Sequence, residues 1–169
     1  MQKLWSPWRS NYIESFKKKK EDNICVFCQA QQEDIENDDC LVVYRATKCF
    51  VTLNLYPYNS GHIMVIPKRH TSQFCSITAE EMKEIMDVVQ ISMKALDIAM
   101  KPQGYNFGAN LGKAAGAGID EHIHFHILPR WNGDTNFMPT LGEVKVISQD
   151  LLVTKKNLLT AFKEALKQS

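Results

Sequence analysis

His122-Ile123-His124-Phe125-His126-Ile127-Leu128 places three of the chain's five histidines at every second position. A period of two belongs to a β-strand, in which side chains i and i+2 share a face about 7 Å apart. Ile123, Phe125 and Ile127 then pack into apolar surroundings, and three imidazoles line the opposite face. Buried imidazoles each need hydrogen-bond partners, so a trio on one face reads as a working surface. Two uses fit. A His-x-His pair can ligate a metal, and a neutral imidazole, with its ordinary pKa of about 6.5, can attack phosphorus.

The segment just upstream favours the second use for His124. Between Asn106 and Gly118 it holds Gly108, Gly112, Gly116 and Gly118, with Asn106 and Asn110. Such a loop lets backbone N–H groups approach phosphate oxygens closely. Further out, Thr78-Ala-Glu-Glu81 is a capping box. Behind it Met82, Ile85, Met86, Val89, Met93, Leu96 and Met100 recur at helical spacing, giving a helix of about 22 residues that Pro102 and Gly104 stop. The methionine stripe reads as core packing. Three short apolar runs, 41–44, 50–53 and 62–66, are separated by turn-rich pieces and closed by Pro67. Connections this short make antiparallel neighbours. Strands over 105–110 and 122–128, the latter ended by Pro129, complete the sheet. A final helix covers Thr154 to Lys167, while 29–39 and 130–140 read as irregular. With no internal repeat and no linker, the order of elements predicts an α+β domain with a mostly antiparallel sheet.

Composition bounds the function classes. The chain has 169 residues, 44% hydrophobic and 23% charged, which is a globular average and one domain's worth. Twenty basic against nineteen acidic residues leave a net charge of +1, which argues against the broad basic surface that nucleic acid requires. A small phosphate ligand needs no global charge. No apolar run approaches the roughly 18 residues of a membrane span. Met1 to Arg9 lacks the apolar core of a signal peptide, and five unevenly spaced cysteines suit a reducing compartment. A cytoplasmic location is the expectation. Lys17 to Lys20 reads as a solvated charge run.

Cys25-x-x-Cys28 fits a chance pair, a redox pair or half a zinc site. The βαβ context of a redox pair is missing, whereas two histidines would complete a tetrahedral Cys₂His₂ set. Cys40, Cys49 and Cys75 read as ordinary small residues, and His62 as a strand residue without a catalytic role. Arg9, Arg130 and Trp131 are either surface packing or the border of an active site.

Residues 122–128 resemble the His-φ-His-φ-His-φ-φ motif (φ apolar) of the histidine triad (HIT) superfamily of nucleotide hydrolases and transferases. Trp5-Ser-Pro-Trp8-Arg9, the stretch Leu53 to His62, Ala114 to Ile119 and Pro129 to Met138 resemble its bacterial branch, related to diadenosine tetraphosphate phosphorylases. The resemblance implies a HIT-like fold, a five-stranded antiparallel sheet with a long helix packed on it and a C-terminal helix. It implies one domain over 1–169, with extensions at 1–24 and 130–169. A two-fold homodimer is expected, with the methionine-rich helix as its interface.

For the chemistry, the resemblance implies an enzyme in which His124 attacks an α-phosphorus of an adenosine polyphosphate. The resulting nucleotidyl-histidine is released by water or inorganic phosphate. His126 would bind phosphate or ester oxygens. Asn110, Gly116, Ala117 and Gly118 would support the phosphate, and Asn54 the ribose hydroxyls. Phe27, Leu53 and Leu55 are candidates for the base pocket, and Trp131 for stacking on a base. A structural zinc would sit on Cys25, Cys28, His70 (in Pro67-Lys-Arg-His70) and His122, a closed set, and no organic cofactor is implied. One departure matters: Ala117-Gly118-Ile119 stands where many relatives carry Gln followed by Ser or Thr. That leaves the proton for the leaving group without an obvious source. The rival readings are a phosphoramidate hydrolase, a zinc-stabilised nucleotide-binding protein without catalysis, and a hydrolase with zinc on the triad itself.

Overall fold

Alternating side chains in the inner strands meet two different cores. The computed structural model describes residues 24–135, 147 and 149–168; Trp5, Trp8, Arg9, Lys17 to Lys20 and Asn136 to Met138 lie outside the described residues. The strands are β1 (Val42–Arg45), β2 (Cys49–Leu53), β3 (Ile63–Pro67), β4 (Gly104–Gly108) and β5 (Phe125–Arg130), with helices α1 (Val26–Ala30), α2 (Ala79–Met100) and α3 (Leu151–Lys167). They form one five-stranded sheet in the order β1-β2-β3-β5-β4, antiparallel at every junction. Val43, Val51, Leu53, Ile63 and Val65 pack with Ile85 and Leu96 of α2 and Leu158 and Phe162 of α3. Their neighbours Val42, Phe50, Met64 and Ile66 point the other way, onto Cys25, Phe27 and Cys40. Every residue of β2 and β3 is therefore buried. Helices cover one face; the Cys25–Cys40 segment covers part of the other.

The long helix forms as expected. Thr78 accepts from the Glu81 N–H and Glu81 accepts from the Thr78 N–H, so the box closes. Ile85, Val89 and Leu96 are buried, and Met82, Met86, Met93 and Met100 are half-buried against the same core. That use of the methionines explains the stripe without a partner. Helix α3 starts three residues earlier than the apolar spacing suggests, because Asp150 caps it by accepting from the Leu152 and Val153 N–H groups.

Every strand's bounds shift by one to three residues from expectation at one end or both, and two of the shifts have a visible cause. Strand β5 begins at Phe125 and runs through Pro129 to Arg130. Proline is tolerated there because Pro129 lies beyond the β3 pairing, which spans Ile127 to Phe125, and has only β4 beside it. His122 to His124 precede the ladder yet keep its alternation, held by the Ile123 N–H on the Thr71 carbonyl at 2.7 Å. Strand β3 likewise begins after His62, whose N–H closes a turn onto the Asn59 carbonyl.

Candidate active site

The alternation predicted for 122–127 holds. Ile123, Phe125 and Ile127 join the core under α2, while His122, His124 and His126 are 0%, 6% and 8% exposed on the other face. Each ring is fixed by a different partner. The His124 Nδ1 lies 2.9 Å from the His122 carbonyl oxygen, which can only accept, so Nδ1 carries the hydrogen. Its Nε2 is left with a lone pair. Burial pushes the His124 pKa down, partly offset by that carbonyl. The ring is neutral at pH 7, the state a nucleophile requires.

His126 is set by a relay through a residue whose role the sequence did not show. The Tyr58 backbone N–H donates to His62 Nδ1 at 3.0 Å, and Asn54 Nδ2 lies 3.2 Å from the same atom. His62 Nδ1 is therefore an acceptor, and its hydrogen sits on Nε2, 2.9 Å from His126 Nδ1. That leaves the His126 hydrogen on Nε2, buried and without a protein partner. Burial and the neighbouring His124 lower the His126 pKa to about 4. The expectation that His62 is an idle strand residue is thus corrected: it precedes the strand and orients His126. The only sequence signal was its place at the end of the turn Tyr56-Pro-Tyr-Asn-Ser-Gly61.

His124 and His126 open into a cavity of about 320 Å³ lined also by Phe27, Asn54, Tyr56, Tyr58, Met64, Asn110, Gly118 and Ile119. This brings together five expected residues beside the two histidines' own walls: Phe27, Asn54, Asn110, Gly118 and the departure residue Ile119. Tyr56, Tyr58 and Met64 were not anticipated. Five other expected residues, Gly116, Ala117, Leu53, Leu55 and Trp131, do not reach the lining. The Gly116 and Ala117 N–H groups are engaged within their own loop, on the Lys113 carbonyl at 3.0 Å and the Gly112 carbonyl at 3.3 Å, which removes them as phosphate donors. Leu53 is 2% exposed in the helix-side core, and Leu55 is half-buried outside the lining. Trp131 donates its Nε1–H to the Lys101 carbonyl at 3.3 Å and lines no part of the cavity. Arg130 is paired with Asp134.

A second cluster lies beside the first. The ligand atoms of Cys25, Cys28, His70 and His122 all fall within 4.8 Å of one another. His122 Nδ1 is 3.3 Å from Cys25 Sγ and 3.6 Å from Cys28 Sγ, and His70 Nδ1 is 3.3 Å from Cys28 Sγ. His122 Nε2 donates to the Pro67 carbonyl at 2.8 Å, which leaves Nδ1 free for a cation in the manner of a metal-bound imidazole. Two thiols and two imidazoles at this spacing suit a tetrahedral soft-metal site. Helix α1 delivers both cysteines, with Cys25 at its N-cap, where the sequence suggested a loop from Gln29 onward. Phe27, between the cysteines, packs its ring 5.6 Å from His122 and 5.1 Å from His124. His122 is the triad's member of this cluster; His124 and His126 take no part in it.

The comparison with protein families matches the HIT domain over residues 36–133. The chain belongs to the HIT family. This HIT protein is 38% identical to the AP-4-A phosphorylase of Mycobacterium tuberculosis over 167 residues, covering 96% of this chain and 85% of that protein. It is 32% identical to the adenosine 5'-monophosphoramidase hnt1 of Schizosaccharomyces pombe, covering 64% of this chain and 75% of that one. Among solved structures, a Zn-bound histidine triad family protein from Mycobacterium smegmatis superposes with a TM-score of 0.67 at 26% identity, covering 86% of this chain and 97% of that one. The HIT-like α+β fold and the enzyme reading both stand. Among the described residues, no helix is long and apolar enough to cross a membrane.

Proposed function

We propose that this HIT enzyme transfers a nucleotidyl group from a dinucleoside polyphosphate, such as diadenosine tetraphosphate, through His124. One observation carries the reading: a buried imidazole with a free Nε2 lone pair stands beside an unpartnered Nε2–H of His126 in one cavity. The His124 lone pair attacks the α-phosphorus; the bond to the bridging oxygen breaks, and its electron pair leaves with the nucleoside polyphosphate. Oxygen of water or inorganic phosphate then attacks the same phosphorus, and when water attacks, its surplus proton passes to solvent. The P–N bond breaks, and His124 regains its lone pair. The His126 Nε2–H donates to an oxygen of the reacting phosphate throughout, a donor that is already oriented and needs no reorganisation.

Gly118 and Ile119 favour a polyphosphate over a phosphoramidate. Neither side chain carries a proton, and an amine leaves phosphorus only when protonated, whereas a polyphosphate leaves as an anion. The 38% identity to an AP-4-A phosphorylase points the same way. We assign Asn54 to the ribose, Asn110 and Gly118 to the phosphates, and Phe27 to the base. A zinc ion on Cys25, Cys28, His70 and His122 would tie the 25–40 segment to the sheet. The four-ligand set leaves no open position, so the metal's contribution is to stability and placement. A cytoplasmic two-fold homodimer completes the proposal, and light scattering of the purified protein tests its assembly.

The decisive experiment incubates the protein with diadenosine tetraphosphate, with and without inorganic phosphate, and resolves the products. ADP formed only with phosphate means phosphorolysis; AMP and ATP in plain buffer mean hydrolysis. In both cases enzyme quenched and denatured in alkali, where the acid-labile P–N bond survives, carries adenylate on His124, and His124→Ala carries none. Undiminished turnover by His124→Ala would refute the reading.

A further inference from the structure

The turn after β5 holds an ionic knot outside the cavity, with a buried carboxylate and a half-exposed guanidinium. The Asp134 side chain, 8% exposed, accepts from Arg130 Nε at 2.7 Å and Nη2 at 2.9 Å, and from the Trp131 N–H at 3.1 Å. A fourth donor comes from across the fold: Asn59 Nδ2 lies 2.8 Å from Asp134 Oδ2 and 3.1 Å from the Pro129 carbonyl. Arg130 also reaches Asn106 of β4, with Nη1 2.6 Å from Oδ1. The carboxylate thus gathers a β5 residue, the turn behind it and the apex of a loop 75 positions away in sequence. Charge-assisted forks of this kind are the geometrically stiff ones.

That loop is the one that builds the site. Residues 54–61 supply three cavity walls, Asn54, Tyr56 and Tyr58. The Asn59 carbonyl accepts the His62 N–H at 3.2 Å, and the Asn54 N–H donates to the His62 carbonyl at 2.9 Å. The Tyr58 N–H, one residue before Asn59, is what makes His62 Nδ1 an acceptor. A loop free to relax at Asn59 would move that N–H away. His62 could then carry its hydrogen on either nitrogen, and His126 would follow.

We infer that Asp134 is a positioning residue: through Asn59 it fixes loop 54–61 and so holds the hydrogens of His62 and His126 on their Nε2 atoms. The inference rests on the reading of His126 as the donor to the reacting phosphate, and it adds a residue that touches neither substrate nor reacting histidine. It also gives the Pro129-Arg130-Trp131-Asn-Gly-Asp134 stretch a use other than base stacking.

The test uses the full chain, metal-loaded and ¹⁵N-labelled at histidine, and reads the His126 tautomer by long-range ¹H–¹⁵N correlation without substrate. Asn59→Ala removes only the link and keeps the Arg130–Asp134 pair; Asp134→Asn breaks the fork. The wild type shows one His126 tautomer, with its hydrogen on Nε2. Each folded variant shows a mixture, and kcat on diadenosine tetraphosphate falls about 10- to 100-fold, with KM within about threefold. Should Asp134→Asn not fold, Asn59→Ala decides alone. A folded variant that keeps the single wild-type tautomer overturns the inference, as does a tautomer mixture with unchanged kcat. Tautomer mixing in the variants of a wild type that turns over no dinucleotide would instead sink the functional reading and leave the positioning role intact.

Discussion

Acid should weaken this protein through His126 in a window set by its burial. The folded-state pKa is lowered to about 4, first by burial and then by His124, against an unfolded reference of about 6.5. The local geometry agrees: a second proton would have to sit on Nδ1, which already faces the His62 Nε2–H at 2.9 Å. Above pH 6.5 both states are neutral at this position and nothing is lost. As pH falls below 6.5 the unfolded chain takes a proton that the native ring refuses, so stability drops by about 1.4 kcal/mol per pH unit. The drop ends near pH 4, where the native ring also protonates. Over about 2.5 units the loss is ~3 kcal/mol, a large share of the roughly 5–15 kcal/mol that holds a domain folded. Urea denaturation at half-unit steps from pH 7 to 4, for the wild type and His126→Asn, isolates the effect. Metal ligands and carboxylates titrate alike in both proteins and cancel in the difference. The stability advantage of the wild type over the variant should shrink by ~3 kcal/mol across that window. Parallel curves, or a directly titrated His126 pKa at or above 6.5, would refute the argument that this ring is a neutral donor.

Three further outcomes follow from single contacts. Gly61 has φ +74°, and a Cβ there would lie 2.5 Å from Met100 Sδ. Gly61→Ala should therefore cost about 1–3 kcal/mol in thermal or urea denaturation, only part of it recovered by also shortening Met100. Chelation, or Cys28→Ser, should release zinc and lower the melting temperature before turnover of the remaining folded protein falls; loss of activity at unchanged melting temperature would place the metal in the chemistry. Phe27→Leu should raise KM for the dinucleotide about tenfold, with kcat nearly constant, since the ring's part is uniform binding. Steady-state kinetics separates the two parameters.

The fold was legible wherever a periodic pattern spoke for itself. The alternating histidines, the helical spacing from Met82 to Met100 and the capping box at Thr78 each give an element from local chemistry alone. Boundaries that depend on partners were not legible. Nothing local says that Pro129 lies past the end of the β3 pairing and so stays within β5. The site divided the same way. His124 and the Cys25-x-x-Cys28 pair are marked by residue type and spacing, whereas His70 and His122 join the cysteines, and Asn54, Asn110, Gly118 and Phe27 reach the cavity, as the family resemblance implied. His62 was missed because its role is a hydrogen-bond relay, set by a backbone N–H four residues back and a ring 64 residues ahead. Gly116 and Ala117 were over-read for the converse reason. Glycine-rich sequence shows that backbone N–H groups can be presented, and only the folded loop shows that these two are already bonded inside it.

The three triad imidazoles share a face and a residue type, yet they cannot be interchanged, because each has a different atom committed. His122 gives Nε2–H to Pro67 and turns Nδ1 to the thiols. His124 gives Nδ1–H to the carbonyl of His122 and keeps Nε2 bare. His126 receives at Nδ1 from His62 and presents Nε2–H. A carbonyl can only accept, and a ring nitrogen that accepts cannot also hold a hydrogen, so each neighbour dictates one tautomer. One alternating stretch thereby presents, at successive even positions, an Nδ1 turned to two thiols, a bare Nε2 and an Nε2–H, which the proposed function uses as metal ligand, nucleophile and hydrogen-bond donor. The division of labour resides in the partners, which is why replacing a partner such as His62 or Asn59 is expected to alter the chemistry without touching the triad.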